Sequence, residues 1–270
     1  SEIKFDVEFD SVNEVKSVVL NAMSVGKSNE NLDEILRRHK SIFDIKIGRI
    51  RNYEHEIRVI TDAPYKAKTY PIADVHRERV RQHLLKLESE GIVEGTSTQY
   101  INPLVVVVKK NGKIRLCLDA RELNKRMEND HEQPPTIDEI FRRIGSRKYF
   151  TTLDVAKAFW QIPLREQDKK YTGFKFDNQT FVFRRLPFGL KTAGSSFMRA
   201  ITKTLEDDCG DFAIVYLDDI LIASNTLSEH LTHLDIILSR LSRAGFKLNK
   251  AKCEFLKSEI SFLGHTFDQV

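Results

Sequence analysis

FAIVYLDDILIAS, residues Phe212 to Ser224, sets two adjacent carboxylates, Asp218 and Asp219, inside an otherwise apolar run. Both flanks, FAIVYL and ILIA, are rich in the β-branched and aromatic residues that fill buried strands, so the stretch is predicted to be a strand pair joined in a tight turn at the aspartates. Two carboxylates about 4 Å apart repel by roughly 1 kcal/mol in water and about 4 kcal/mol at a near-surface dielectric. A turn made only for turning would more cheaply use Asn-Gly. The pair therefore asks for a chemical reason.

The chain around it has 270 residues, 41% hydrophobic and 30% charged, enough to bury a real core under a solvated surface. No apolar run approaches the length of a membrane span, and the N-terminus SEIKFDVEFD is charged from its second residue, so neither a span nor a signal peptide is expected and the protein is read as intracellular. Cys117, Cys209 and Cys253 are odd in number, far apart and without C-x-x-C spacing, which argues against a disulfide framework or a zinc site; they are expected to be buried small hydrophobes. A formal charge of +4 and a pI near 8.8 suit a polyanionic partner without requiring one.

Upstream, NLDEILRRHKSIF predicts a helix with Leu32, Ile35, Leu36 and His39 on one side, after a polar loop, SVGKSNEN; residues 1–50 read as a leader or linker. DVHRERVRQHLLKLESEG predicts a second helix capped by Asp74, striped by Val80, Leu84 and Leu87, ended at Gly91 and basic on its other face. NPLVVVVKKNGKIRLCLDARELN reads as a hairpin about Asn111-Gly112, because both residues accept the positive φ of a type I′ turn. Alternation puts Lys113, Arg115, Cys117 and Asp119 on one face and Ile114, Leu116 and Leu118 on the other. With Lys109 and Lys110 added, the tip is either a basic finger for a polyanion or an edge hairpin protected by lysines.

PPTIDEIFRRIG predicts a helix capped by Thr136 and stopped at Gly145, with Ile137, Ile140, Phe141 and Ile144 inward. The strand KYFTTLD follows and ends at Asp154, a further carboxylate at the edge of an apolar element. Past the Pro187 and Gly189 loop, a helix from about Ala193 aligns Phe197, Ile201 and Leu205. After the acidic hairpin, SEHLTHLDIILSRLSRAG predicts a helix capped by Ser228, ended at Gly245 and striped by Leu231, Leu234, Leu238 and Leu241. His230 and His233 have no acidic or Cys partner at ligand spacing, so they are not read as a metal pair. FKLNKAKCEF reads as a strand with basic flanks and ISFLGHTF as a short hairpin.

This β-α-β-β-α order allows one antiparallel sheet, backed by helices, in which Asp154 comes beside Asp218 although 218 − 154 = 64 positions separate them. Three clustered carboxylates do not stay ionised together without cations, and carboxylate oxygens suit Mg²⁺. The chemistry that uses such a cluster is two-metal phosphoryl transfer. Adjacent strand residues point to opposite sides, so Asp218 is expected to be the principal ligand and Asp219 the auxiliary one.

YLDD at 216–219, FTTLDVAKAFWQIPL at 150–164, LPFGLKTAGSSF at 186–197, KIRLCLDARELNK at 113–125 and FLGH at 262–265 together resemble the reverse transcriptase of gypsy-like LTR retrotransposon Pol polyproteins. The resemblance covers roughly residues 50–270, with the motifs in family order. It implies an α+β right-hand polymerase, with fingers mainly over 51–150 and palm over 151–270, the latter adding part of the fingers. The thumb is expected to be absent because the chain stops just past the primer-grip motif. The implied reaction is RNA-directed addition of dNTPs to a primer 3′-OH. Asp154, Asp218, Asp219 and the carbonyl of Val155 would hold two Mg²⁺ ions, with Mn²⁺ able to substitute. Lys110, Lys113 and Arg115 resemble the triphosphate clamp, Phe159 the aromatic gate that rejects a 2′-hydroxyl, Phe188 and Gly189 contacts to nucleotide and template, and Lys252 a basic group near the triphosphate. Tyr216, Leu217, Leu263 and Gly264 fall where the family holds the primer.

Implied partners are an RNA or DNA template with primer, dNTPs, and protease, RNase H and integrase domains of a longer polyprotein, with no membrane. The implied location is cytoplasmic, in virus-like particles. A truncated or domesticated fragment that binds nucleic acid or a protein without catalysis is the rival reading, and a DNA-templated polymerase a weaker third.

Overall fold

A computed structural model describes residues 31–108, 114–130, 135–206, 209–216, 219–262 and 265–267. Its helices are α1 (31–38), α2 (Asp74–Ser89), α3 (Arg121–Arg126), α4 (Ile137–Ile144), α5 (Ala193–Leu205) and α6 (Leu227–Ala244). Its strands are β1 (Tyr65–Lys66), β2 (Val93–Gly95), β3 (Tyr100–Ile101), β4 (Leu104–Val108), β5 (Ile114–Leu118), β6 (Tyr149–Asp154) and β7 (Phe174–Phe176). They continue with β8 (Gln179–Phe183), β9 (Ala213–Tyr216), β10 (Asp219–Ser224), β11 (Glu254–Lys257), β12 (Ile260–Phe262) and β13 (His265–Phe267). No described helix is long and apolar enough to cross a membrane.

The opening stretch forms the centre of a four-stranded antiparallel sheet in the order β11-β6-β10-β9. Period-2 alternation sends β10 into two cores at once. Ile220 and Ile222 join Leu153, Ala213 and the α5 and α6 residues Phe197, Ile201, Leu234 and Leu238 in the main core. Leu221 and Ala223 join Phe150, Ile214 and the α4 residues Ile140 and Ile144 on the opposite face. A strand buried on both sides needs an unbroken apolar sequence, which DILIAS supplies after its first residue.

Away from this sheet, β2 pairs with β8 and β8 with β7, and β4 pairs with β5, with Val108 opposite Ile114. Arg115 is exposed while Leu116 and Leu118 are buried, as the alternation predicts. The connection 109–113, with the Asn111-Gly112 turn and Lys109, Lys110 and Lys113, lies outside the described residues, as does the SVGKSNEN loop up to residue 30. Because β2 and β8 come from the two halves of the chain, this lobe is built from both, and the chain then returns to the four-stranded sheet.

Local chemistry corrects several expectations. Helix α2 is preceded by Ala73, which makes no side-chain cap, and Asp74 is its first residue; the stripe Val80, Leu84 and Leu87 is buried as predicted. Its basic face is partly neutralised, since Arg77 and Arg81 both pair with Asp177. Helix α6 is capped by Thr226, not Ser228: Thr226 and Glu229 form a reciprocal capping box, which satisfies two backbone N–H groups where Ser228 would satisfy one. Helix α4 has the same device in Thr136 and Glu139. It lays only the row Ile140 and Ile144 on the sheet, while the neighbouring row stays at the flank, leaving Ile137 44% and Phe141 41% exposed. Of the cysteines only Cys209 is buried; Cys117 and Cys253 are half-buried. In FKLNKAKCEF, Lys250–Lys252 form a 3₁₀ turn, and the strand begins at Glu254. The hairpin β12-β13 forms as expected.

Residues 31–50, read from sequence as a leader, are part of the body. Ile35, Ile42 and Ile50 are buried in the main core. Helix α1 passes into a 3₁₀ turn, Lys40–Phe43, and both Arg38 and His39 meet Asp235 of α6 at 2.9 and 2.8 Å. The Arg49, Ile50 and Arg51 amides donate to the carbonyls of Gly245, Gln161 and Ala244.

Two buried histidines tie elements together. His230 lies 2.7 Å from the Thr151 hydroxyl of β6 and 2.9 Å from Ser224 at the end of β10, and Ser224 also meets His233 at 2.8 Å. Both ring nitrogens of His230 are therefore engaged in packing contacts of the sheet. His55 meets the Ser196 hydroxyl of α5 at 2.7 Å. Burial pulls both His230 and His55 down to about 4, helped by His233 in the first case and Arg199 in the second. Both are thus neutral in the folded chain, and below the ordinary histidine value of about 6.5 the unfolded chain takes up protons that the native one refuses. Stability held at pH 7 is lost as pH falls from about 6.5 toward 4, by on the order of 2 kcal/mol per histidine at pH 5. The urea midpoint is expected to drop between pH 7 and pH 5, and His230→Gln to flatten that slope by about half; an unchanged slope in the variant contradicts the assignment.

Candidate functional site

Register assembles the acidic site. In the pairing of β10 with β6 and β9, Asp219 stands opposite both Asp154 and Tyr216. Directly opposed residues share a face. That face is the one α4 covers over Phe150, Ile214, Leu221 and Ala223; Asp154, Asp219 and Tyr216 continue it at the strand ends, where they are half-buried. Strand β9 ends at Tyr216 and Asp219, directly opposite it, already belongs to the return strand, so the two aspartates are not both in the connection. Leu217 and Asp218 lie outside the described residues. A one-residue slip would turn Asp219 to the opposite face; the pairing of β10 with both neighbours fixes it on the face of Asp154 and Tyr216.

Two carboxylates opposed on rigid strands repel, and one of them meets a cation: Lys252 Nζ is 3.4 Å from Asp154 Oδ2. Lys252 is about two-thirds exposed, so the pair contributes little to stability and its ammonium is easily exchanged. Cys253 sits close enough that both aspartates help to raise its thiol, pushed up to about 11 chiefly by burial. It is a neutral thiol at pH 7, which leaves a seat of carboxylate and carbonyl oxygens, the donor set a hard divalent cation such as Mg²⁺ takes. Val155 is buried, and its neighbours on both sides are held by backbone bonds: Asn249 donates to the Asp154 carbonyl and Ala156 to that of Lys247.

The segment that follows Asp154 leads into an aromatic cluster at the 3₁₀ turn Ala158–Gln161. The Phe159 ring packs edge-on against Phe188 at 5.3 Å and Phe197 at 6.2 Å between centroids, and Trp160 packs against Phe188 at 5.7 Å. The Arg115 guanidinium lies over the Phe188 ring, 4.6 Å from its centroid. Three residues predicted to touch the nucleotide, Arg115, Phe159 and Phe188, therefore form one connected stack. Gly189 has φ +103°, and a Cβ there would come 3.0 Å from the Leu118 carbonyl, so glycine is required. Asn124 fixes this loop from α3, donating to the Gly189 carbonyl and accepting from the Lys191 amide.

Gln161 is a residue that motif reasoning missed. Fully buried, it donates to the carbonyls of Ala156 and Lys247 and accepts from the Lys247 amide. It thereby ties the turn after Asp154 to the segment leading to Lys252. Its backbone carbonyl takes the Ile50 amide and one arm of buried Arg185. The close approach explains Gly48, where a Cβ would clash with Gln161 Oε1 at 2.3 Å. Only the glutamine in FWQIPL could have hinted at this, and long-range backbone partners leave no periodic trace. Of the other sequence candidates, Lys110, Lys113, Leu263 and Gly264 lie outside the described residues.

A family model described as reverse transcriptase (RNA-dependent DNA polymerase) matches residues 107–267. The chain is 35% identical over 217 residues to the retrovirus-related Pol polyprotein from transposon 297 of Drosophila melanogaster, covering 78% of this chain and 20% of that protein. It is 34% identical over 214 residues to that from transposon gypsy of Drosophila melanogaster, covering 77% and 21%. The chain spans about one fifth of the length of these curated relatives. Among solved structures, a foamy viral protease-reverse transcriptase in complex with double-stranded DNA matches with TM-score 0.80 and 26% identity, over 90% of this chain and 43% of that one. The complex with RNA/DNA hybrid shares the fold at TM-score 0.81 and 24% identity, over 100% of this chain and 37% of that one.

Proposed function

This chain belongs to the reverse transcriptase family, with gypsy-like relatives, and from that premise we propose that it adds dNTPs to the 3′-OH of a primer on an RNA template. The observation that carries the reading is the pairing of Asp219 with Asp154, which sets two carboxylates 65 residues apart in sequence (219 − 154) on one face of rigid strands. Asp154, Asp218 and the Val155 carbonyl would hold two Mg²⁺ or Mn²⁺ ions, with Asp219 in support. Bound there, such ions lower the pKa of the attacking hydroxyl and neutralise the leaving pyrophosphate.

The remaining work falls to the chain's own groups. Arg115, with Lys110 and Lys113, holds the triphosphate by charge-assisted hydrogen bonds. Phe159, braced by Phe188 and Phe197, lies under the sugar and excludes a 2′-hydroxyl. Gly189 lets the backbone approach the base pair, and Lys252, released from Asp154, turns to the phosphates. Tyr216, Leu217, Leu263 and Gly264 hold the primer end. The duplex- and hybrid-bound foamy viral relatives support a template-primer ligand. The Pol polyprotein relatives, about five times as long as this chain, support work beside other domains of a polyprotein; that these are protease, RNase H and integrase, and that the work takes place in cytoplasmic virus-like particles, is part of the same proposal.

The test is oligo(dT) extension on poly(rA) and on poly(dA), with and without Mg²⁺ or Mn²⁺. Metal-dependent extension on poly(rA) that Asp218→Asn abolishes is expected. Salt-sensitive binding of both duplexes with no incorporation would instead favour a non-catalytic nucleic-acid-binding fragment.

A further inference from the structure

Arg115 is an exposed guanidinium on β5 that, among the described residues, makes no hydrogen bond or ion pair; its recorded contact is the face of Phe188. That choice of neighbour has a chemical consequence. A carboxylate beside an arginine fixes it by consuming its N–H donors, and an incoming anion must then displace the carboxylate. An aromatic face attracts the cation through the ring's quadrupole and leaves the in-plane N–H fork free. Phe188 is suited to this task because its neighbours brace it. Trp160 and Phe159 pack on it edge-on, Leu186 and Leu190 beside it are buried, and Asn124 anchors the loop through Gly189 and Lys191.

From this geometry we infer that Phe188 is a positioning residue which acts on the incoming nucleotide through Arg115, holding the guanidinium in place for the triphosphate with its donors unspent. The inference rests on the polymerase reading for the identity of the anion and on the stack alone for the coupling. A polar or aliphatic side chain at 188 leaves Arg115 free to swing, and the cost appears in nucleotide binding rather than in the chemical step.

The test is a double-mutant cycle over wild type, Phe188→Leu, Arg115→Gln and the double variant, with Phe188→Tyr as the conservative control. Two readouts are taken. One is KM and kcat for dTTP on poly(rA)/oligo(dT). The other is the apparent Kd of tripolyphosphate, followed by the fluorescence of Trp160, the chain's only tryptophan. Phe188→Leu is expected to raise KM and Kd about two- to fivefold, the range of an exposed cation–π contact, with the change falling on KM rather than kcat. Phe188→Tyr restores both values, and in the Arg115→Gln background Phe188→Leu has no further effect. Equal effects of Phe188→Leu in both backgrounds, or no effect in either, overturn the inference. If the wild-type chain extends no primer while the tripolyphosphate cycle still shows coupling, the polymerase reading falls and the positioning role stands.

Discussion

Asp154→Asn is expected to lower metal-dependent primer extension by about 10³-fold or more and to weaken Mn²⁺ binding, with the thermal midpoint unchanged or slightly raised. The two halves of that result come from different physics. Asparagine keeps the shape and one acceptor oxygen but removes the charge that draws a cation to the seat. Stability should not suffer, because the charge stands opposite Asp219 on the next strand, and like charges so placed repel. Its ion pair with Lys252 is to a largely exposed lysine and is worth little. Extension assays, Mn²⁺ titration by electron paramagnetic resonance and a thermal melt report the three quantities. A variant that loses activity and unfolds at once would mark Asp154 as a structural residue; one that keeps both activity and Mn²⁺ affinity would remove it from the site.

Phe159→Val is expected to reduce discrimination between dTTP and UTP by about 10²-fold, measured as the ratio of their kcat/KM values on the same template-primer. The argument is steric and depends on how the ring is held. Phe188 and Phe197 meet it edge-on at 5.3 and 6.2 Å, so the ring cannot retreat from a sugar carrying an extra hydroxyl. Valine removes the outer part of the ring and opens that space. Because Phe159 is only half-buried, the fold should lose about 1–2 kcal/mol, less than a core phenylalanine truncation. An unchanged ratio would return Phe159 to the role of a core aromatic.

The parts of this molecule that could be read from its sequence are those encoded by local period and local chemistry. The unbroken β-branched and aromatic runs FAIVYL and ILIA gave the strands, and the period of two along them fixed which face Asp219 shares with Asp154 once the strands paired. The capping of α4 follows from Thr136, and T-x-x-E at Thr226 and Glu229 carries the same signature, with Ser228 as a competing cap residue two positions on. That Asp219 belongs to the return strand was not legible, because apolar residues flank the aspartates on both sides; the pairing of Asp219 with Tyr216 decides it. Nor was the exposure of Ile137 and Phe141, since an eight-residue helix offers two apolar rows and the sheet accepts one. The partners of residues 31–50 and of Gln161 are backbone and side-chain groups up to 206 positions away (248 − 42), a distance at which composition and spacing carry no signal. The perch of Arg115 on Phe188 is of the same kind: both motifs were visible, their contact was not.

The central claim is that the carboxylates at 154, 218 and 219 form a divalent-cation seat for nucleotidyl transfer. Its most direct test is single-turnover incorporation of one dTTP into oligo(dT) on poly(rA) while Mg²⁺ is titrated from zero, for the wild-type chain and for Asp218→Asn. Saturable, Mg²⁺-dependent incorporation by the wild type and none above background in the variant is the predicted result; incorporation that is indifferent to Mg²⁺, or equal in the two chains, would contradict it.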